Sequence, residues 1–271
     1  MIVLTLLREL QFPVVAECIT PDVLQGKSVS EIAALPVWEG NKQKTLAEIF
    51  RIEQTPEEPT KIIINGNASE VRSVGSGMKM GEIIINGNIG MHLGEKMSGG
   101  KITVNGDAGQ WAGAEMKGGL IEIHGNAHDY LASPYRGRDS GMRGGKIIVD
   151  GNVGSDSACF MKGGVIKIRG DCGPFLGFRM HDGVVHVEKR CASRAGANMS
   201  GGKIIVSGSL EEPMPTFSID SVKPKVKLDD TETVQGPFYV FIGDLAENNT
   251  GGKLFVSRAN NPQLSSYEKF L

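Results

Sequence analysis

The chain has 271 residues and a net charge of −2, with 29 Lys and Arg against 31 Asp and Glu. That balance argues against nucleic acid or an anionic membrane as the main partner. The mix of 40% hydrophobic and 22% charged residues is that of a folded chain. Glycine is in excess at 37 residues, without the every-third spacing of collagen, and aromatic residues are only 6%. The core must therefore be built from Ile, Val, Leu, Ala and Met. The longest early apolar run, residues 2–7, breaks at Arg8 and Glu9 and lacks the basic start of a signal peptide, so no membrane insertion is expected. Cys18, Cys159, Cys172 and Cys191 form no CxxC and no zinc spacing, and a reduced, cytoplasmic protein is the expectation.

In chain order, residues 1–61 begin with a strand-like stretch over 1–10. Two capping boxes come after it, Ser28-x-x-Glu31 and Thr45-x-x-Glu48, each opening a short helix. This segment reads as an N-terminal α/β cap that closes one end of a repeat array.

From residue 62 to residue 208 the chain repeats. Met78, Met97, Met116, Met142, Met161, Met180 and Met199 are separated by steps of 19, 19, 26, 19, 19 and 19 residues, and a glycine three positions after each keeps the same beat. Each repeat holds one clear strand. Its first position is Ile83, Ile102, Ile121, Ile147, Ile166, Val185 or Ile204, and its third is Ile85, Val104, Ile123, Val149, Ile168, Val187 or Val206. The middle position is Ile84, Thr103, Glu122, Ile148, Lys167, His186 or Ile205. Alternation of this kind points the first and third positions inward and the middle outward. A glycine-rich turn such as Asn86-Gly87-Asn88 comes next. Such a unit cannot close a core alone but can when stacked on its copies. The expected fold is all-β, a parallel β-helix of about eight coils of ~19 residues, with the methionines as an internal ladder. Residues 209–271 read as a proline- and charge-rich irregular crossing over 211–236, then short capping strands over 238–242 and 253–256.

No catalytic constellation is expected. His124 and His128 fall at a strand–turn junction, and His181 and His186 lack a third histidine in a suitable column. Cys172 and Cys191 share an apolar column with Ile89, Ala108, Ala127 and Val153, so two buried thiols are expected there. No phosphate-binding glycine loop and no nucleophile elbow is present. Catalytic, cofactor-binding and metal-binding residues are thus expected to be none.

The interruption of the beat carries the functional signal. Between Gly125 and Met142 the repeat swells by seven residues, and an insertion in a repeat array becomes a loop, often on the binding face. Tyr130, Tyr135, Arg136 and Arg138 lie there. Buried Tyr and Arg are typical interface anchors, and these four are the candidate interface residues.

The repeat G-x-x-M-x-x-G-x-I-x-[IV]-x-G, as over residues 75–87 and 94–106, resembles that of the C subunit of formylmethanofuran dehydrogenase. So do Ile19-Thr20-Pro21-Asp22 and the leader over 35–41. Gly236-Pro237-Phe238-Tyr239 and residues 243–248 match it near the other end. The repeat is also similar to the C-terminal β-helix of glutamate synthase, which implies a right-handed solenoid. Lys189 departs from the pattern where the turn glycine should stand. The resemblance implies a methanogenic archaeon and a complex that reduces CO2 with low-potential electrons to form N-formylmethanofuran. It implies partner subunits carrying a tungsten- or molybdenum-pterin, a two-metal amidohydrolase-like centre and iron–sulfur clusters, with this chain as a structural subunit holding no cofactor. A subunit of the bacterial formyltransferase/hydrolase complex and a free-standing β-helix enzyme are the alternatives.

Overall fold

The computed structural model describes residues 1–58, 60–248 and 251–271. The architecture is mostly β. The N-terminal segment contains β1 (Ile2–Leu6), β2 (Val14–Val15), α1 (Pro21–Leu24), α2 (Val29–Ala33), β3 (Pro36–Glu39), β4 (Lys42–Thr45), α3 (Leu46–Ile49) and β5 (Phe50–Gln54). Ser28 and Glu31 close a reciprocal capping box at α2, and Glu48 accepts the Thr45 backbone N–H at α3, as the spacing predicts.

The repeats then supply β6 (Lys61–Asn65), β7 (Val71–Arg72), β8 (Glu82–Asn86), β9 (Lys101–Val104), β10 (Leu120–Ile123), β11 (Lys146–Val149), β12 (Lys162–Ile168), β13 (Asp182–Val187) and β14 (Lys203–Val206). Except for β7, these pair side by side in parallel and in register, so that Ile83, Ile102, Ile121, Ile147, Ile166, Val185 and Ile204 form one row. The row is buried, as are the third positions and all seven methionines. A second parallel ladder of single bridges runs from Ala68 through Ile89, Ala108, Ala127, Val153, Cys172 and Cys191 to Leu210. The four cysteines are free thiols. Burial pushes Cys191 up to about 12 and raises Cys172 as well.

The turns explain the Asn-Gly-[Asn/Asp] signature. Asn88, Asp107, Asn126, Asn152 and Asp171 each accept, through Oδ1, a backbone N–H of the next repeat at 2.6–3.0 Å. The Asn65, Asn86 and Asn105 amides form a shorter ladder at 2.8 and 2.9 Å. Turn donors that a lone repeat would leave open are thus satisfied by its neighbour.

Both ends differ from the sequence reading. β1 is itself a parallel rung beside β6, with Ile2 opposite Ile62, and β5 pairs antiparallel on its far side. At the other end β17 (Gly252–Ser257) is another parallel rung, with Leu254 opposite Ile204. It repeats Gly202-Lys203-Ile204-Ile205-Val206 as Gly252-Lys253-Leu254-Phe255-Val256, 50 positions further on. The parallel stack therefore runs on past residue 208. The intervening segment is not an irregular crossing. It contains an antiparallel hairpin of β15 (Ser218–Lys227) and β16 (Thr233–Gly243), whose β16 pairs with β17. A 3-10 helix, Pro262–Phe270, ends the chain.

The hairpin folds back over the outward column. Ile205, expected to face out, is fully buried in a second core with Val226, Leu228, Phe238, Val240 and Phe255. At its tip Asp229 accepts from Lys146 at 2.8 Å and Glu232 from Lys167 at 2.6 Å. Both outer strands of the 13-stranded sheet carry charge or proline: Arg51 and Glu53 on β5, Lys223, Pro224 and Lys225 on β15. Such residues block further pairing at a sheet edge.

Candidate functional site

The site grows out of a turn position that follows the bridge residue, three residues after it in six of the repeats and five after Ala68 in the first. Ser73, His92, Trp111, Tyr130, Asp156, Phe175 and Arg194 all occupy it, with φ between 54° and 64°. A side chain in this left-handed region costs ~1–2 kcal/mol. Seven non-glycine residues bear it because the local turn repeats identically and stacks one side chain on the next. His92 stacks on Trp111 with ring centroids 5.5 Å apart and planes 4° apart, and Trp111 on Tyr130 at 4.5 Å and 8°. Further along, the Arg194 guanidinium lies 5.0 Å from the centre of the Phe175 ring. Phe160 and Phe178 meet edge to face at 5.8 Å, with Arg179 over both.

The seven-residue insertion closes over this stack. Tyr135, 46% exposed, tilts its ring against His92 and Trp111 at 5.6 and 5.3 Å. Arg138 is tied down by Glu115, with Nη1 2.6 Å from Oε1. Ser133 donates to the Asp156 carbonyl at 2.7 Å and accepts the Cys159 N–H at 3.0 Å, which anchors the loop root. Together they bound a cavity of about 340 Å³ lined by Trp111, Tyr130, Tyr135, Arg136, Arg138, Asp156, Cys159, Phe160 and Phe178. Trp111 is only 6% exposed, and its indole N–H has no acceptor within the described residues. Burial pushes the Cys159 thiol up to about 12 and raises the Asp156 carboxyl.

All four residues singled out from the sequence therefore line one cavity. Tyr130 is its half-buried base, Tyr135 and Arg136 its exposed rim, and Arg138 its ion-paired wall. The sequence reading missed Trp111, His92, Phe160 and Phe178. A signal existed: Trp111 and His92 stand one and two 19-residue steps before Tyr130.

The histidines weighed as ligands are engaged singly. His124 Nδ1 lies 2.7 Å from Asp150 Oδ2, His181 Nδ1 2.8 Å from Ser200 Oγ, and His186 Nε2 2.8 Å from Ser207 Oγ. Among the described residues no group of three or more His, Cys, Asp or Glu side chains is arranged to hold a metal, and no helix is long and apolar enough to cross a membrane.

Known proteins match nearly the whole chain. The chain is 47% identical over 268 residues to the C subunit of tungsten-containing formylmethanofuran dehydrogenase 2 of Methanococcus maripaludis, covering 97% of this chain and 98% of the relative. The chain belongs to the family of formylmethanofuran dehydrogenase C subunits. The C subunit of molybdenum-containing formylmethanofuran dehydrogenase 1 of Methanothermobacter thermautotrophicus is 45% identical over 86 residues, 32% of this chain and 22% of that protein. Among solved structures, a chain of the formyltransferase/hydrolase complex from Methylorubrum extorquens, determined with methylofuran, superposes with a TM-score of 0.87 at 29% identity. That match covers 94% of this chain and 99% of the other. No family model matches the sequence. Membership makes this chain a subunit-type member of an oxidoreductase family, and the solved neighbour is likewise one chain of a multi-subunit complex.

Proposed function

We propose that this chain is the non-catalytic scaffold subunit of a formylmethanofuran dehydrogenase, holding the catalytic subunits in register while they reduce CO2 and form N-formylmethanofuran. The full-length match to the C subunit of a formylmethanofuran dehydrogenase carries the reading. In it the repeats wind as a right-handed parallel β-helix. The parallel sheet, the second bridge ladder at the same spacing and the strong right-handed preference of parallel crossovers all support that winding. The partners are a tungsten- or molybdenum-pterin subunit, an amidohydrolase-like subunit with a two-metal centre, and iron–sulfur subunits, in the cytoplasm, and this chain carries no cofactor of its own. Tyr130, Tyr135, Arg136 and Arg138 belong to the docking face.

A passive role fits the cavity's chemistry. Aromatic rings and arginines dominate it, and its thiol, held near 12, is far from the thiolate a nucleophile needs. A second reading, a subunit of a formyltransferase/hydrolase complex, is favoured by the structural likeness at TM-score 0.87. Purification of the native protein separates the readings. A complex containing tungsten or molybdenum together with iron supports the first, and a complex lacking the pterin metal supports the second. An active monomer overturns both.

A further inference from the structure

We infer that the cavity beside Trp111 receives an acidic segment of a neighbouring subunit. That segment places a carbonyl on the Trp111 indole N–H, an apolar side chain between Phe160 and Phe178, and carboxylates against Arg136 and Arg194. The inference rests on the scaffold reading above and names the chemistry of the partner.

Three independent observations converge on it. The first is the indole N–H, buried at 6% exposure with no acceptor among the described residues. A buried donor left open costs ~1–3 kcal/mol, a cost that an acceptor from another chain removes. The second is the shape. A cavity of about 340 Å³ walled by aromatic rings has room for one apolar side chain and the backbone that carries it. Its floor is held by stacked rings and its wall by the Arg138–Glu115 pair, so little ordering remains to be done on binding.

The third is charge. The loop that rims the cavity, residues 130–143, carries Arg136, Arg138 and Arg143 against one acidic residue, Asp139. The chain as a whole is −2. A positive flank on an acidic protein selects an acidic partner surface and speeds its approach. Arg136 and Arg194 are exposed, and Arg194 is steadied on the Phe175 ring. A guanidinium held this way suits a carboxylate, which it binds through two parallel hydrogen bonds.

The test uses the complex. The remaining subunits are purified, and association with this chain is measured at low and high salt. The chain carries Trp38→Phe, which leaves Trp111 as its only tryptophan and fluorescent reporter. The expected result is saturable binding that weakens with salt and alters the Trp111 emission. Arg136→Glu with Arg194→Glu should weaken association about tenfold or more at low salt and flatten the salt dependence. Trp111→Phe, which keeps a ring but removes the N–H, should weaken it about fivefold to tenfold. Circular dichroism and the thermal midpoint of each free variant verify folding, and for any variant that fails to fold, hydrogen exchange on the wild-type complex replaces it, with protection of residues 130–138 expected. Unchanged affinity in either folded variant, or unprotected 130–138 exchange, while the wild type assembles, overturns this inference and leaves the scaffold reading standing. If the wild type binds no other subunit, both fall.

Discussion

The terminal methyl carbon of Met97 lies 2.7 Å from the point where a β-carbon on Gly119 would stand. The same relationship joins Met78 to Gly100, Met116 to Gly145, Met142 to Gly164, Met161 to Gly183 and Met180 to Gly202, each at 2.5–2.8 Å. The methionine of one repeat fills the space left by the glycine of the next. Met-x-x-Gly is thus an inter-repeat packing motif in these six pairs.

Gly119→Ala should therefore be costly. The new methyl would also meet the Gly100 carbonyl oxygen at 2.8 Å, and the backbone there sits at φ +89°. Overpacking of ~1–3 kcal/mol and left-handed strain of ~1–2 kcal/mol set the expected loss. Met97→Ala should cost ~2–5 kcal/mol through its cavity. Shortening Met97 vacates the space that the added methyl would need, so the double variant should cost less than the sum by ~0.5 kcal/mol or more. Urea unfolding of the three variants checks this, and strictly additive costs would show that the two residues do not share the space.

The methionine beat was legible because stacking forces equal spacing, but its glycine partner was not, because the contact crosses from one repeat to the next. The rung at β17 escaped because the hairpin places it 50 residues after β14. β1 escaped because it pairs with Ile62 across the whole cap and carries no methionine–glycine signature. At the site, Tyr130 and Tyr135 stood out because they lie in the segment where the repeat swells, although Tyr130 itself keeps the beat. Trp111 keeps the beat, and its role depends on a left-handed turn that no residue type there announces.

That turn makes a counter-intuitive prediction at Tyr130, whose φ is 64°. Either Tyr130→Ala or Tyr130→Gly loses the Trp111 stack, worth ~0.5–1.5 kcal/mol beyond simple burial. Glycine also releases the left-handed strain, so Tyr130→Gly should be the more stable of the two by about 1 kcal/mol. At most strand or helix positions glycine is the less stable. Thermal denaturation of the pair decides it, and an alanine variant equal to or better than glycine would contradict the turn ladder.

The outward column should respond unevenly to truncation. Ile84 and Ile205 hold equivalent positions, yet Ile84 is half-buried and Ile205 lies sealed beneath the β15–β16 hairpin. Ile205→Ala should cost ~2–5 kcal/mol as a core truncation, and Ile84→Ala about 1 kcal/mol. Denaturant midpoints for the two variants test this, and equal losses would mean that the hairpin does not seal the column.

Acid should weaken the fold in two separate windows. Burial at 4% exposure lowers the His186 pKa below 6.5, with Lys167 acting in the same direction and Glu188 opposing. The unfolded chain then takes up a proton first, so this contribution is complete above 6.5 and lost as pH falls through the folded-state value. Glu95 behaves separately. The His92 ring nitrogen 3.0 Å away, with Lys96 at 2.8 Å, holds its carboxyl at about 2 against an ordinary 4.5. Its contribution, at most about 3 kcal/mol, is complete above 4.5 and drains away as pH falls toward 2. Urea unfolding followed from about pH 8 to about pH 3 should show both declines. Glu95→Gln should flatten the lower one and leave the upper, and His186→Asn should do the reverse. A Glu95→Gln variant that still loses stability as steeply as the wild type below 4.5 would show that the charge on Glu95 is not what holds its turn beside His92.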